Sequence, residues 1–169
     1  MDVTRGEYTI STDRARIPLA VVHRWLSEES YWANGIPLDV VQTALQNSLN
    51  FGVYRGDALA GFARVITDYA TFAYVGDVFV LPEHRGRGLS KWLMETIAAD
   101  PRLGGFRRWL LATRDAHGLY AQSGYAPLAA PERWMEKKPI ASYGAAPPSA
   151  ADPTEAGPTT APGSDPPPR

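Results

Sequence analysis

The stretch at residues 78–93, VFVLPEHRGRGLSKWL, constrains the fold of this chain more than any other segment. Its continuous apolar run at 78–81 predicts a strand that is covered on both faces. The run leads into residues 85–88, Arg-Gly-Arg-Gly, where glycines allow a sharp backbone turn and a close approach to a ligand. From Leu89 onward apolar side chains recur at helical spacing, so a helix is predicted directly after the turn.

A strand, a glycine and arginine turn and a helix N-terminus together predict an anion site. The first amides of a helix have no hydrogen-bond partner within the helix, and the helix dipole adds partial positive charge there. Phosphate is the most natural ligand for such a group of amides. The alternative is a small basic surface turn, because glycine-rich turns between strands and helices are common.

The segment resembles the acyl-CoA-binding motif of the GNAT superfamily of N-acetyltransferases. That motif reads Arg or Gln, two residues, Gly, one residue, and then Gly or Ala, and Ser90 departs from it at the last position. The resemblance implies that the turn binds the CoA pyrophosphate through backbone amides and that the preceding strand hydrogen-bonds the pantetheine arm. The CoA-binding residues that it implies are Val78, Phe79, Val80, Arg85, Gly86, Arg87, Gly88, Leu89 and Ser90.

A second motif, LYAQSGY at residues 119–125, resembles the late helix of the same superfamily. Gly124 suits the position just after a helix, where a left-handed backbone is needed. The resemblance makes Tyr120 the tyrosine whose hydroxyl lies near the CoA sulfur, where it can protonate the leaving thiolate. The alternative is that Tyr120 is a packed core residue with a solvated hydroxyl.

Acetyl transfer to an amine also needs a base, since a free alkylamine has a pKa of about 10.4 and attacks only when neutral. Asp77 is the first candidate, because a charged side chain inside an apolar strand is costly without a reason. Some GNAT enzymes carry an acidic residue there. The alternative is an Asp at a strand bend, paired with a neighbouring basic group or amide. Asp115 is expected to cap the helix that carries Tyr120, and His84 is expected to be solvated.

Composition excludes several other classes of function. The chain has no cysteine, which excludes disulfides, thiolate metal sites and an acyl-cysteine intermediate. Its three histidines show no metal-ligand spacing, so no metal is expected. A formal net charge of -1 argues against broad nucleic-acid binding. No apolar run is long enough to span a membrane, and no basic and apolar leader begins the chain, so a cytoplasmic protein is expected.

The sequence predicts one folded domain, a GNAT-like acetyltransferase domain at residues 1–138, and a disordered tail rich in Pro and Ala at 139–169. Nine of the fifteen prolines fall in the tail. The predicted strands are 8–11, 51–54, 59–67, 72–81, 107–113, 125–128 and 134–137, and the predicted helices start after Pro18 and Pro37 and cover 89–100 and 116–123. This pattern predicts an α/β mixed sheet. The resemblance implies a mostly antiparallel, twisted sheet of roughly six or seven strands flanked by about four helices.

The expected function is therefore an acetyl-CoA-dependent N-acetyltransferase that passes the acetyl group directly to a primary amine. The acceptor is left open among a small amine, an amino-acid derivative and a protein lysine, and a homodimer is also left open. A second hypothesis is a non-catalytic acyl-CoA-binding or sensing module, which would keep the turn but need neither Tyr120 nor Asp77. A third, an interaction protein with a proline-rich ligand tail, ranks last because the tail lacks a clear PxxP core with flanking basic residues.

Overall fold

A six-stranded sheet, in the order β1-β2-β3-β4-β5-β6, forms the centre of the molecule. The computed structural model describes residues 1–137 and Tyr143. The strands are β1 (Asp2–Arg5), β2 (Tyr8–Ser11), β3 (Leu49–Arg55), β4 (Ala58–Thr67), β5 (Phe72–Val80) and β6 (Arg108–Leu110). The α-helices within this part of the chain are α1 (Leu19–Glu28), α2 (Leu38–Gln46), α3 (Leu89–Ala98) and α4 (His117–Ala121). Neighbouring strands are antiparallel except β5 and β6, which confirms the predicted mixed, mostly antiparallel sheet.

Each face of the sheet carries its own apolar core, because helices cover both sides. The face under α3 and α4 buries Phe51, Val75 and Leu93 among others. The face under α1 and α2 buries a second cluster that includes Leu26 and Phe79. Burying a side chain of this size contributes roughly 1.5–3 kcal/mol. The two cores together hold the central strands, and β5 above all, in a fixed position.

The turn before β5 is held by one carboxylate. Asp68 accepts hydrogen bonds from the backbone amides of Ala70, Thr71 and Phe72 and from the Thr71 hydroxyl, at 2.6–3.1 Å. The Thr71 hydroxyl and these amides stabilise the charged form and hold the pKa of Asp68 well below its usual range. The turn therefore fixes where β5 starts.

A β-bulge interrupts β5 at Asp77. Phe62 of β4 pairs with Phe79, whereas Arg64, two residues further along β4, pairs with Gly76, so β5 carries one extra residue. Asp77 absorbs the extra length with a left-handed backbone, at φ 54°. Asp adopts this conformation more readily than most residues with a side chain.

The bulge also changes which side chains of β5 face which core. Ala73 and Val75 lie on the α3 side, and after the bulge Val78 and Val80 lie on that same side. Because side chains alternate strictly along a strand, odd and even positions share a face only where an extra residue intervenes. The bulge therefore leaves the apolar face of β5 continuous while it sends the Asp77 side chain to the opposite side.

The sheet splays open between its last two strands. Only Phe72–Tyr74 of β5 pair with β6, through Arg108, Trp109 and Leu110. From Val75 to Val80 the edge of β5 that faces β6 pairs with no strand within residues 1–137. Backbone N–H and C=O groups on such an edge are open to a ligand.

Several predicted elements differ in the structure. The strands predicted at 125–128 and 134–137 are wrong, since both segments are irregular. Pro127 removes an amide donor from the first, and a 3-10 turn, Pro131–Arg133, separates the two. The structure contains a strand that was not predicted, β1, whose four residues are all exposed, so apolar patterning could not detect it. The tail predicted at 139–169 lies outside the described residues. No helix in the described part of the chain is long and apolar enough to cross a membrane.

Candidate active site

The turn between β5 and α3 leaves a row of amides available to a ligand. Gly86 and Gly88 adopt left-handed backbones, with φ 75° and 72°, which glycine accepts without strain. Within the described residues, the amides of residues 86–90 donate no hydrogen bond to another group. Apart from the adjacent residues along the chain, no atom of the described residues lies within 4 Å of the position that a Cβ would take at either glycine, so the space over the turn is open. The turn thus fits a phosphate at the start of α3.

The side chains of Arg85 and His84 hold the turn between β5 and α3 in place. Arg85 donates from Nε to the Val80 carbonyl oxygen at 3.0 Å, which ties the turn to the end of β5. His84 is buried, with Nδ1 3.0 Å from the Tyr8 hydroxyl, so the expectation that it is solvated is wrong. Burial follows because the 3-10 turn, Pro82–His84, rotates this ring toward β2. Arg87 remains exposed, and its nearest carboxylate partner among the described residues is Glu7, at 3.9 Å.

A cavity of about 520 Å³ opens beside the bulge in β5. Its walls come from α1, α2, the loop between them, β5 and the segment that leads into α4. It brings together two predicted catalytic residues, Asp77 and Tyr120, and the predicted CoA-binding residue Val78. The glycine turn is not part of this wall; it follows the end of β5 at Val80. The other polar or aromatic side chains that line the cavity include Tyr31, Trp32, Arg64 and Tyr74.

Asp77 is held from two sides within the cavity. Trp32 donates from Nε1 to one carboxylate oxygen at 3.0 Å, and Arg64 donates from Nε to the other. The Asp77 side chain is 12% exposed. A carboxylate offers about four acceptor positions, so two remain for a ligand. This pairing matches the alternative that the sequence left open for Asp77, an Asp at a strand bend paired with a neighbouring basic group. The sequence did not identify Arg64 as that group, because the pairing depends on the register between β4 and β5.

Trp32 reaches Asp77 because it belongs to a chain of packed aromatic rings. Its ring lies 5.5 Å from that of Trp25 and 4.9 Å from that of Tyr31. Trp25 in turn stacks on Phe79 with a centroid separation of 4.0 Å. These contacts fix the α1–α2 loop against β5, so the indole N–H is positioned before any ligand binds.

Tyr120 combines a buried ring with a protonated hydroxyl. It is 8% exposed and packs edge-on against Tyr125 at 6.0 Å. Burial raises the pKa of Tyr120 to about 12, so the hydroxyl keeps its proton at neutral pH. None of the hydrogen bonds made by residues 1–137 and Tyr143 engages this hydroxyl. It therefore has a proton available to donate.

The end of α4 places Tyr120. Gly124 has φ 83°, the Tyr125 amide donates to the Tyr120 carbonyl at 3.2 Å, and the Gly124 amide donates to the Ala121 carbonyl at 3.1 Å. This is the pair of bonds that closes a helix through a left-handed glycine. The predicted role of Gly124 is confirmed.

The start of α4 differs from the prediction that Asp115 caps it. The Thr113 hydroxyl accepts the Ala116 amide at 3.0 Å instead, and Asp115 points outward, 3.7 Å from Arg114. Arg114 also lies over the Tyr31 ring at 3.8 Å, and its amide donates to the Tyr31 hydroxyl at 2.9 Å. Tyr31 therefore joins the α1–α2 loop to the segment before α4 across the cavity mouth.

The described residues contain no group of three or more His, Asp or Glu side chains that could hold a metal ion. The chemical groups that these residues provide are an amide-lined anion site, a protonated tyrosine and an arginine–aspartate pair. Amides and guanidinium groups bind anions, and tyrosine and aspartate move protons.

Comparison with known proteins relates this arrangement to one family. The sequence model of the Acetyltransferase (GNAT) family matches residues 19–125. A Gibberella zeae protein assigned as an acetyltransferase is 34% identical over 143 residues, which cover 71% of this chain and 79% of the relative.

Two crystal structures complete the comparison. A protein from Xanthomonas campestris pv. campestris, assigned to the GNAT family, is 49% identical with a TM-score of 0.81, covering 84% of this chain and 100% of its own. A Clostridium acetobutylicum protein assigned as an acetyltransferase, and determined with acetyl-CoA, is 13% identical with a TM-score of 0.59. It covers 78% of this chain and 94% of its own, a likeness of fold alone.

Proposed function

The chain belongs to the GNAT acetyltransferase family, and from that premise we propose that it is an acetyl-CoA-dependent N-acetyltransferase. The acetyl group passes directly from acetyl-CoA to a primary amine that is bound in the cavity beside Asp77 and Tyr120. The observation that carries the proposal is the unpaired edge of β5, which leads from that cavity to the free amides of the turn.

The fit of the CoA moiety rests on the turn and on β5. The open amides of residues 86–90 and the exposed Arg87 guanidinium suit a pyrophosphate. The edge of β5 that faces away from β4 at Val78, Phe79 and Val80 suits the amide groups of a pantetheine arm, which would bind as an added strand does. We assign the CoA-binding role to these residues together with Arg85, Gly86, Gly88, Leu89 and Ser90.

Tyr120 is the proposed general acid. When bound, acetyl-CoA supplies a thioester whose carbonyl carbon is attacked by the amine and whose sulfur leaves as a thiolate. The Tyr120 hydroxyl holds the proton that a leaving thiolate needs, since its raised pKa, about 12, keeps it protonated at working pH. Because its ring is buried, the hydroxyl is held in one position at the cavity wall. A catalytic group that is already positioned lowers the entropic part of the barrier.

Asp77 is the proposed group that receives the proton of the acceptor amine, directly or through one water molecule. Two acceptor positions of its carboxylate remain after the bonds from Trp32 and Arg64. An ammonium group placed there is hydrogen-bonded and desolvated, and it passes one proton to Asp77 before the neutral nitrogen attacks. A positioned acid or base contributes typically 10²- to 10⁴-fold to a rate.

The test is release of free thiol from acetyl-CoA in the presence of primary amines, with mass spectrometry of the products. The panel covers small alkylamines, amino acids, amino-acid amides and lysine-containing peptides. Thiol release that depends on an amine, with a matching N-acetylated product, is the expected result. Tight binding of acetyl-CoA without turnover of any amine would instead support the non-catalytic acyl-CoA-binding module.

A further inference from the structure

We infer that the acceptor is a free α-amino acid and that Arg64 binds its carboxylate while Asp77 contacts its amine. The inference rests on the proposed function and specifies the substrate class of that same cavity. Its basis is the Arg64–Asp77 pair, which lines the cavity on the side of the sheet opposite to α3.

Arg64 has more hydrogen-bonding capacity than the protein uses. Its side chain is only 18% exposed, and its Nε donates to Asp77. The four N–H bonds of its two terminal nitrogens have no partner among the described residues. A guanidinium that is largely buried, with one edge free in a cavity, is the arrangement that binds a carboxylate through two parallel hydrogen bonds.

The pair presents opposite charges side by side. In an α-amino acid the ammonium and the carboxylate are attached to one carbon, so both groups can be met by two adjacent side chains. Trp32 donates a hydrogen bond to the Asp77 oxygen that Arg64 does not contact, which keeps the carboxylate from turning both oxygens toward Arg64. The free edge of Arg64 and the remaining acceptor positions of Asp77 thus match the two ends of one zwitterion.

The charge balance of the cavity separates this acceptor from a polyamine or a protein lysine. Among the described residues, its charged lining consists of two arginines, Arg64 and Arg114, and two aspartates, Asp77 and Asp115, whose formal charges sum to zero. A polycation would favour an excess of carboxylates, whereas a zwitterion suits a neutral lining with separated charges. The wall formed by α1, α2 and the loop between them contributes aliphatic side chains that favour an acceptor with an apolar side chain; they include Leu26, Ala33, Ile36, Val40, Val41 and Leu45.

The reaction balances with the groups that line the cavity. The bound ammonium first passes one proton to Asp77, which releases it to solvent. The neutral nitrogen then forms a bond to the acetyl carbonyl carbon, and the carbon–sulfur bond breaks with its electron pair left on sulfur. The second amine proton passes to Asp77, while Tyr120 protonates the thiolate and regains a proton from solvent. The products are an N-acetylamino acid and CoA, and no oxidant or metal is required.

The experiment compares three acceptors that share one side chain: L-leucine, L-leucinamide and 3-methylbutylamine. The KM and kcat of each are measured by thiol release, and the affinity of each for the CoA complex is measured by calorimetry. If Arg64 binds the carboxylate, L-leucine has a KM lower than the other two by about ten- to hundredfold, as expected for a charge-assisted hydrogen bond. Equal or better use of leucinamide or the alkylamine would overturn the inference.

Variants connect the preference to Arg64. Arg64→Gln should raise the KM for L-leucine about ten- to hundredfold more than the KM for 3-methylbutylamine, because only L-leucine has a carboxylate that contacts Arg64. A merely structural role for Arg64 would change both substrates alike. Arg64→Lys keeps the charge and should retain part of the preference, which guards against a folding defect in the first variant. Arg107→Gln, the same change at an exposed site outside the cavity, serves as the control.

Failure of this inference and failure of the proposed function give different results. If acetyl-CoA binds and alkylamines or peptides are acetylated while a panel of the common amino acids is not, the amino-acid assignment is wrong and the acetyltransferase remains. If acetyl-CoA does not bind at all, both proposals are wrong. A preference for L-leucine that survives in Arg64→Gln would remove Arg64 from carboxylate recognition.

Discussion

Replacement of Tyr120 by Phe tests whether this residue acts as the general acid or only packs in the core. The ring is 8% exposed, and Phe fills the same volume, so the core contact with Tyr125 is retained. The hydroxyl that is removed has no partner among the described residues, so the free energy of unfolding should change by no more than about 1 kcal/mol. If Tyr120 is the acid, kcat should fall by about 10²- to 10⁴-fold, which raises the barrier by about 2.7–5.5 kcal/mol.

The assay is thiol release at saturating acetyl-CoA, with calorimetry of acetyl-CoA binding and urea unfolding on the same protein. Tyr125→Phe is the matched control, because burial also raises the pKa of Tyr125 to about 12 and its ring touches that of Tyr120. Tyr125 lines a different cavity, next to β6, and should keep its kcat within about twofold. A Tyr120→Phe enzyme with the kcat of the wild type would remove Tyr120 from the mechanism.

Four further predictions test the site and the fold. Gly88→Val should lower acetyl-CoA affinity at least about tenfold in calorimetry. It should lower the free energy of unfolding by only about 1–3 kcal/mol, because the new side chain strains the left-handed backbone but clashes with no nearby atom. Unchanged affinity would contradict the assignment of the turn as a phosphate site. Asp77→Asn keeps the left-handed backbone and should lower kcat about a hundredfold or more in the thiol assay with unchanged acetyl-CoA affinity, and an unaltered kcat would exclude the base role. Gly61→Ala should lower the free energy of unfolding by about 1–3 kcal/mol in urea, since the new Cβ would lie 2.8 Å from the Phe79 carbonyl oxygen, and a neutral result would mean that β4 and β5 separate easily. Burial raises the pKa of Tyr54 to about 12, so the folded state holds this proton more tightly than the unfolded state. The contribution of this proton to the free energy of unfolding is therefore fully present below about pH 10 and falls by about 2 kcal/mol toward pH 12. Urea titrations at each pH should show a smaller loss for Tyr54→Phe.

Local sequence signals predicted the elements that hold the turn. The apolar run before Arg85, the glycines and the helical spacing after Leu89 are each encoded within a few residues, and the structure forms β5, the turn and α3 there. Gly124 likewise closes α4 as its sequence context indicates, because a left-handed position favours glycine whatever surrounds it. Such features depend on neighbours along the chain, which a sequence displays directly.

The features that the sequence did not predict depend on contacts between residues that are distant along the chain. The pairing of Arg64 with Asp77 follows from strand register, and the bond from Trp32 joins residues 45 positions apart. The bulge that turns Asp77 toward the cavity has its left-handed backbone at Asp77 itself, not at the adjacent Gly76, so the position of the bulge was not predicted. Residues 125–128, Tyr-Ala-Pro-Leu, form a short apolar run, but β6 is short and this segment pairs with no strand in the described part of the chain.

The most direct test of the account is calorimetric titration of the full chain with acetyl-CoA, CoA and ATP. We expect acetyl-CoA and CoA to bind, ATP to bind far more weakly, and both CoA species to lose affinity in Gly88→Val while the variant remains folded. Absence of heat from acetyl-CoA and CoA with the folded wild-type protein would contradict the assignment of the turn at residues 86–90 and, with it, the proposed acetyltransferase activity.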